Sequence, residues 1–235
     1  MGDSLLQIKN LRAWYQPDRA VLTDLSIKLR EHEAVGLIGL NGAGKTTLLK
    51  TLSGIHEGFL ADGVWMQGSP VKFRDRDFKK CRYTVFAEDH SFPYFTFREY
   101  LSYVFSAYGR KAQDAGPFIQ GFHFEEYVDA LMKDLSTGNR KKAFLITAFA
   151  LKPELLLLDE PADGLDFQST EYLYRQIAGY KEYGTVLFSS HILESITLTS
   201  DRVMVLEDGQ IGKIFEDGSI NAENIREALR YENDI

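Results

Sequence analysis

AVGLIGLNGAGKTTLLKTLSGI, residues 34–55, passes from an apolar run through a glycine-rich turn into leucines at helical spacing. The order is a buried strand, a tight loop and a helix, the opening of an α/β fold. Within it, Gly39-Leu40-Asn41-Gly42-Ala43-Gly44-Lys45-Thr46 satisfies the phosphate-loop pattern G-x-x-x-x-G-K-[ST] at every position. Glycines let backbone N–H groups wrap phosphates, Lys45 brings a point charge to the outer ones, and the Thr46 hydroxyl can hold Mg²⁺. The stretch predicts nucleotide binding by residues 39–47, with Thr47 closing the set.

A phosphate loop alone does not choose among kinases, G proteins and ATPases. A second strand narrows the choice: Leu155-Leu156-Leu157-Leu158 runs directly into Asp159-Glu160. At a strand's carboxyl end, Asp159 can orient a metal and Glu160 can polarise a water in line with the terminal phosphate. GTVLFSS, 184–190, reads as a third buried strand, with His191 directly after it. Helices are predicted near 140–151, 169–180 and 192–199, so the sheet should be parallel and covered on both faces.

Around this centre, residues 5–30 alternate as strands do on either side of the turn signal QPDR, predicting an antiparallel layer. From 83 to 108, ten of 26 residues are aromatic, against roughly three expected from the chain-wide share. A helix there should end at Gly109, KAQDAGPF at 111–118 reads as a loop, and EEYVDALM at 125–132 as a helix. Residues 203–218 form a hairpin pattern around Asp208-Gly209, and a short acidic helix should follow in the tail.

The bulk numbers fit one globular domain over 1–235. Net charge is −7 with 44% hydrophobic residues, which argues against broad attraction to nucleic acid or anionic lipid. One cysteine, Cys81, forms no internal disulfide and reads as a small buried hydrophobe. No secretory signal or apolar run of spanning length is present, which predicts a cytosolic protein unless a partner holds it at a membrane.

DLSTGN, 134–139, poses a separate question: it is a second anion-type turn at a helix start in a chain already holding a phosphate loop. GLNGAGKTT, LSTGN, LLLLDEPADGLD and FSSH, in this order, together resemble the nucleotide-binding domain of ABC transporters over about residues 5–215. The resemblance implies a P-loop NTPase core with an N-terminal antiparallel β layer and an inserted helical subdomain at about 83–150. It implies ATP with Mg²⁺ as cofactors, Glu160 as catalytic base, His191 as the histidine sensing the terminal phosphate, and Asp159 with Thr46 at the metal. Tyr15 would stack on adenine, with Trp14 as competitor, and Asp163–Asp166 would touch a partner subunit. Ser136 and Gly138 would contact the nucleotide of a neighbouring subunit, so DLSTGN would work only in a dimer.

Two positions depart from the family pattern. Glu88 stands about where a metal-approaching glutamine is usual, and a carboxylate there can still reach Mg²⁺ or its water. LSTGN carries Thr137 and Asn139 where glycine and glutamine are usual, and the β-branched Thr137 can restrict close approach and slow turnover. The implied partners are transmembrane subunits on separate chains and a second nucleotide-binding subunit, with an exporter slightly favoured. Part of the aromatic segment would line a groove for a short cytoplasmic helix of the membrane subunit. A soluble ABC-type ATPase serving cofactor or complex assembly is the alternative, separated by whether the protein fractionates with membranes.

Overall fold

The computed structural model describes residues 3–111 and 113–230. Its strands are β1 (Ser4–Gln16), β2 (Arg19–Arg30), β3 (Ala34–Ile38), β4 (Phe59–Leu60), β5 (Gly63–Met66), β6 (Ser69–Pro70), β7 (Arg82–Val85), β8 (Leu155–Leu158), β9 (Thr185–Ser189), β10 (Arg202–Glu207) and β11 (Gln210–Glu216). Its helices are α1 (Lys45–Leu52), α2 (Arg76–Cys81), α3 (Phe97–Ala107), α4 (Gly116–Gly121), α5 (Thr137–Leu151), α6 (Phe167–Gly179), α7 (Leu193–Thr199) and α8 (Ala222–Arg230).

Two sheets result. The antiparallel layer runs β2-β1-β5-β6, with β4 on β1, and the second sheet runs β11-β10-β3-β9-β8-β7. All pairs of the second sheet are parallel except the closing hairpin β10–β11. Successive side chains of a strand point to opposite faces, which explains the unbroken leucines of β8. Leu155 and Leu157 join the core under the antiparallel layer and α1, while Leu156 and Leu158 join the core beneath α5 and α6.

Several expectations need correction in detail. Tyr83 to Val85 belong to the parallel sheet, because β7 pairs in register with β8. EEYVDALM is not one helix: it forms short 3₁₀ turns at Glu125–Tyr127 and, further on, at Met132–Asp134. The Arg98 backbone N–H and the Met132 backbone N–H instead bond to loop carbonyls of Val128 and Phe95, which outweighs local helix propensity. Part of the expected 111–118 loop is helical, where Pro117 sits in the first turn of α4. Cys81 is half-buried rather than core, and burial pushes its thiol up.

Of the ten aromatics, Tyr83, Phe97, Tyr100 and Phe105 are buried. Tyr94 is 75% exposed and Tyr103 50% exposed. Thr96 starts α3 with a capping box closed by Glu99, and the left-handed Gly109 follows its end.

Candidate nucleotide site

β3, β9 and β8 are neighbours, so the loops leaving their carboxyl ends converge: 39–44, 190–191 and 159–160. This is the edge of a parallel sheet where ligands bind. The turn into α1 depends on Gly44, whose φ of +108° lies in the left-handed region. A Cβ there would stand 2.7 Å from Leu22 Cδ2, so the antiparallel layer presses directly on the loop. Gly39 is buried, Ala43 half-buried, and Asn41 and Gly42 face solvent.

Lys45 is 8% exposed, and its Nζ donates to the Gly39 carbonyl at 2.8 Å. The same ammonium lies 3.9 Å from Glu160 Oε1. Thr46 Oγ1 donates to Asp159 Oδ1 at 3.2 Å, and Ser189 Oγ donates to the same oxygen at 2.8 Å. Ser189 Oγ also accepts from the Glu160 backbone N–H at 2.9 Å. One hydroxyl thus fixes both carboxylate residues after β8. Among the described residues Asp159 Oδ2 is buried without a partner, an arrangement that is costly unless a cation meets it. Thr47 is buried on the inner side of α1.

Glu160 has φ +44°, a left-handed backbone that non-glycine residues adopt only when their surroundings hold it. Its Oε2 accepts from the His191 backbone N–H at 3.2 Å and lies 2.9 Å from His191 Nδ1. Donor atoms of Glu160, Asp163 and His191 all fall within 4.8 Å of one another. Lys141 is buried, donates to the Glu160 carbonyl at 3.2 Å, and has its pKa lowered, first by burial.

A cleft of about 670 Å³ beside the loop is lined by residues of 19–21, 40–43 and 207–209. None of these belongs to α5. Tyr15 is 61% exposed, its ring edge-on to His56 at 4.8 Å. Trp14 is half-buried against Gly58, and its carbonyl lies 3.1 Å from His56 Nε2. The exposed face between the two candidates is therefore Tyr15.

Ser136 caps α5, its side chain accepting from the Asn139 N–H at 3.2 Å. Ser136 and Thr137 are exposed. Gly138 is closed in: a Cβ there would sit 2.4 Å from the Gly164 carbonyl oxygen. The 163–166 loop thus packs on the start of α5. Asp166 is used locally, capping α6 and pairing with Lys142 at 2.6 Å, a hydrogen bond that holds its carboxyl far below the usual range. Glu88 is exposed on the loop after β7 and lines a small hollow with Thr137, Arg140 and Lys141. Among the described residues it makes no bond to Thr46 or Asp159.

Ser189, Lys141 and His56 are the site residues that sequence reasoning passed over. Ser189 stood inside FSSH, but its role needs β9 beside β8, and pairing order is not written in spacing.

The ABC transporter family profile matches residues 22–163. The chain is 36% identical over 225 residues to the putative ABC transporter ATP-binding protein AlbC of Bacillus subtilis, covering 92% of this chain and 93% of that protein. It is 35% identical over 216 residues to the Nod factor export ATP-binding protein I of Burkholderia orbicola, covering 89% and 70%. A solved ATP-binding subunit of an ABC transporter superposes with a TM-score of 0.83 at 26% identity, covering 96% of this chain and 94% of that one. With the phosphate loop, the paired carboxylates and the histidine assembled on one sheet edge, the chain belongs to the ABC transporter family and is its ATP-binding cassette, an ATPase.

Proposed function

We propose that this cassette is a separate subunit that closes head to tail on a second cassette and drives membrane subunits carried on other chains, in the direction of export. The observation that carries the dimer is the exposed Ser136 turn, which has no part in the cleft over its own phosphate loop. A second copy would bring that turn, with its free N–H groups and positive helix end, to the outer phosphates of this one. The export direction is supported by likeness to a relative named for Nod factor export.

Within such a dimer Glu160 is the base. A water oxygen attacks the terminal phosphorus, its proton passes to Glu160, and the bond to the departing ADP oxygen breaks. His191 orients the carboxylate, and Lys45 holds phosphate oxygens. Asp159 and Thr46 would hold Mg²⁺, since the buried Asp159 Oδ2 has no partner among the described residues. When bound, that ion offsets phosphate charge. Glu88 gains no support for this set from the geometry. Tyr15 offers the exposed ring for adenine. Chelating divalent ions should reduce ATP turnover to background and restore it on adding Mg²⁺; turnover that survives chelation would remove the metal from the scheme.

Gly138→Ala should cost about 1–3 kcal/mol in unfolding free energy, because its Cβ meets a backbone oxygen rather than a side chain that can move. Turnover should fall with it, as the 163–166 loop shifts. Denaturant melts paired with ATPase rates check both.

Transport itself is tested by affinity purification of the native protein from membranes in mild detergent. A stoichiometric membrane subunit is expected; recovery only in the soluble fraction would favour an assembly ATPase.

A further inference from the structure

The loop that carries Glu160 is held from two sides. On one side β9 supplies Ser189, whose Oγ accepts from the Glu160 N–H at 2.9 Å. On the other stands the first half of α5, where Gly138, Lys141 and Lys142 are spaced i, i+3 and i+4 and so share one helix face. All three meet the 160–166 loop. Gly138 packs against the Gly164 carbonyl, Lys142 Nζ pairs with Asp166 Oδ2 at 2.6 Å, and Lys141 Nζ donates to the Glu160 carbonyl at 3.2 Å.

Gly138 permits a close backbone approach and Lys142 makes an ordinary ion pair; Lys141 does neither. It is 4% exposed, and a buried ammonium is costly unless charge and hydrogen bonds answer it. Among the described residues it forms no ion pair, and its bond goes to a backbone oxygen. Burial pulls its pKa down, while the charges of Asp163, Asp159, Glu160 and Glu88 push it back up. The Asp163 N–H reaches the same Glu160 carbonyl at 3.2 Å.

The Glu160 backbone is thereby fixed at both ends, its N–H on Ser189 and its carbonyl on Lys141. Between them lies the φ of +44°, which a residue with a side chain keeps only when its surroundings impose it. Any change of φ there re-aims the Cα–Cβ bond, and with it the carboxylate that meets His191.

We infer that Lys141 is a positioning residue for ATP hydrolysis: from α5 it locks the left-handed backbone of Glu160 and so aims the carboxylate at the attacking water, acting through Glu160 rather than on the nucleotide. The inference rests on the reading of Glu160 as the base.

The test uses the full chain and follows ATP turnover, ATP affinity by titration with a fluorescent analogue, and the unfolding midpoint. Lys141→Met keeps the length of the stem and drops the ammonium. Its kcat should fall about 10–100-fold, the range that a misaimed catalytic group produces, while KM for ATP stays within about twofold. Lys141→Arg keeps a charged N–H donor, and because the bond is single rather than forked its kcat should stay within about threefold of wild type. In the Glu160→Gln protein, adding Lys141→Met should leave the residual turnover and the ATP affinity unchanged, since no base remains to be aimed.

Lys141→Met with wild-type kcat, a loss of ATP affinity as large as the loss of kcat, or a further drop in the Glu160→Gln background overturns the proposal. If Lys141→Met does not fold, Lys141→Arg decides: turnover lost by about tenfold with ATP affinity intact overturns it equally. Glu160→Gln hydrolysing at the wild-type rate would mean that the base reading itself has failed. An inactive Glu160→Gln beside an unimpaired Lys141→Met would remove the positioning role alone.

Discussion

Glu160→Gln is expected to lower ATP turnover by about 10²–10⁴-fold while ATP binding persists. Glutamine preserves the length and one carbonyl-type acceptor, so the 3.2 Å bond from the His191 N–H can remain. It cannot take a proton from water at neutral pH. Substitution also removes the negative charge 3.9 Å from Lys45, which frees that ammonium for phosphate oxygens. In the proposed head-to-tail arrangement, binding groups from two subunits would then stay engaged with no chemistry to release them, and an ATP-dependent dimer should accumulate. Size-exclusion chromatography with ATP reads the dimer, and phosphate release reads the rate. Wild-type turnover in the variant would show that another group is the base. Loss of ATP binding would instead show that Glu160 holds the loop in shape, a role its φ of +44° makes worth separating.

The parts legible in the sequence were those governed by local chemistry. The glycine loop, the four leucines of β8 and the capping serine of α5 each announce a backbone state through residue type, and the structure places each where that chemistry requires. The convergence of Lys45, Asp159 and His191 was legible only through resemblance to a family, because strand order is a tertiary property. Ser189 illustrates the difference: nothing about a serine at the end of an apolar strand says that two carboxylate residues will hang on its hydroxyl. The 125–132 segment failed for the opposite reason. Its composition favours helix, but its backbone groups bond to the chain near Phe95 and Arg98, and tertiary pairing won. Arg82 was also silent, since a cation at a strand start reads as surface until α1, α2 and the loop near Phe73 close over it.

Arg202→Met should destabilise the fold by about 3–5 kcal/mol, because it removes one partner of a buried ion pair. Arg202 Nη2 meets Glu33 Oε1 at 2.5 Å and donates to the Lys28 carbonyl at 2.6 Å, with both charged side chains under a tenth exposed. The contacts tie the end of β2 and the start of β3 to β10, where Arg202 pairs in register with Val35 of the strand that feeds the phosphate loop. Burial already dominates both groups: it pushes Glu33 up and Arg202 down despite their mutual attraction. Removing the arginine leaves Glu33 with the Arg30 N–H at 2.6 Å and the more distant charge of Arg30 to offset its own. Its folded pKa should then rise further above the unfolded value, so the folded state binds the proton more tightly than the unfolded chain. Stability of the variant must therefore fall as pH rises through that window and recover as pH drops, narrowing the gap to wild type under acid conditions. Replacing both residues, Glu33→Leu with Arg202→Met, should recover most of the loss, since no unpaired charge remains buried. Urea midpoints for wild type, the two single variants and the double variant close the cycle. A single Arg202→Met loss below about 1 kcal/mol, or a double variant no better than the single, would show that the strands are held by packing alone and that the pair carries no weight at the base of the nucleotide loop.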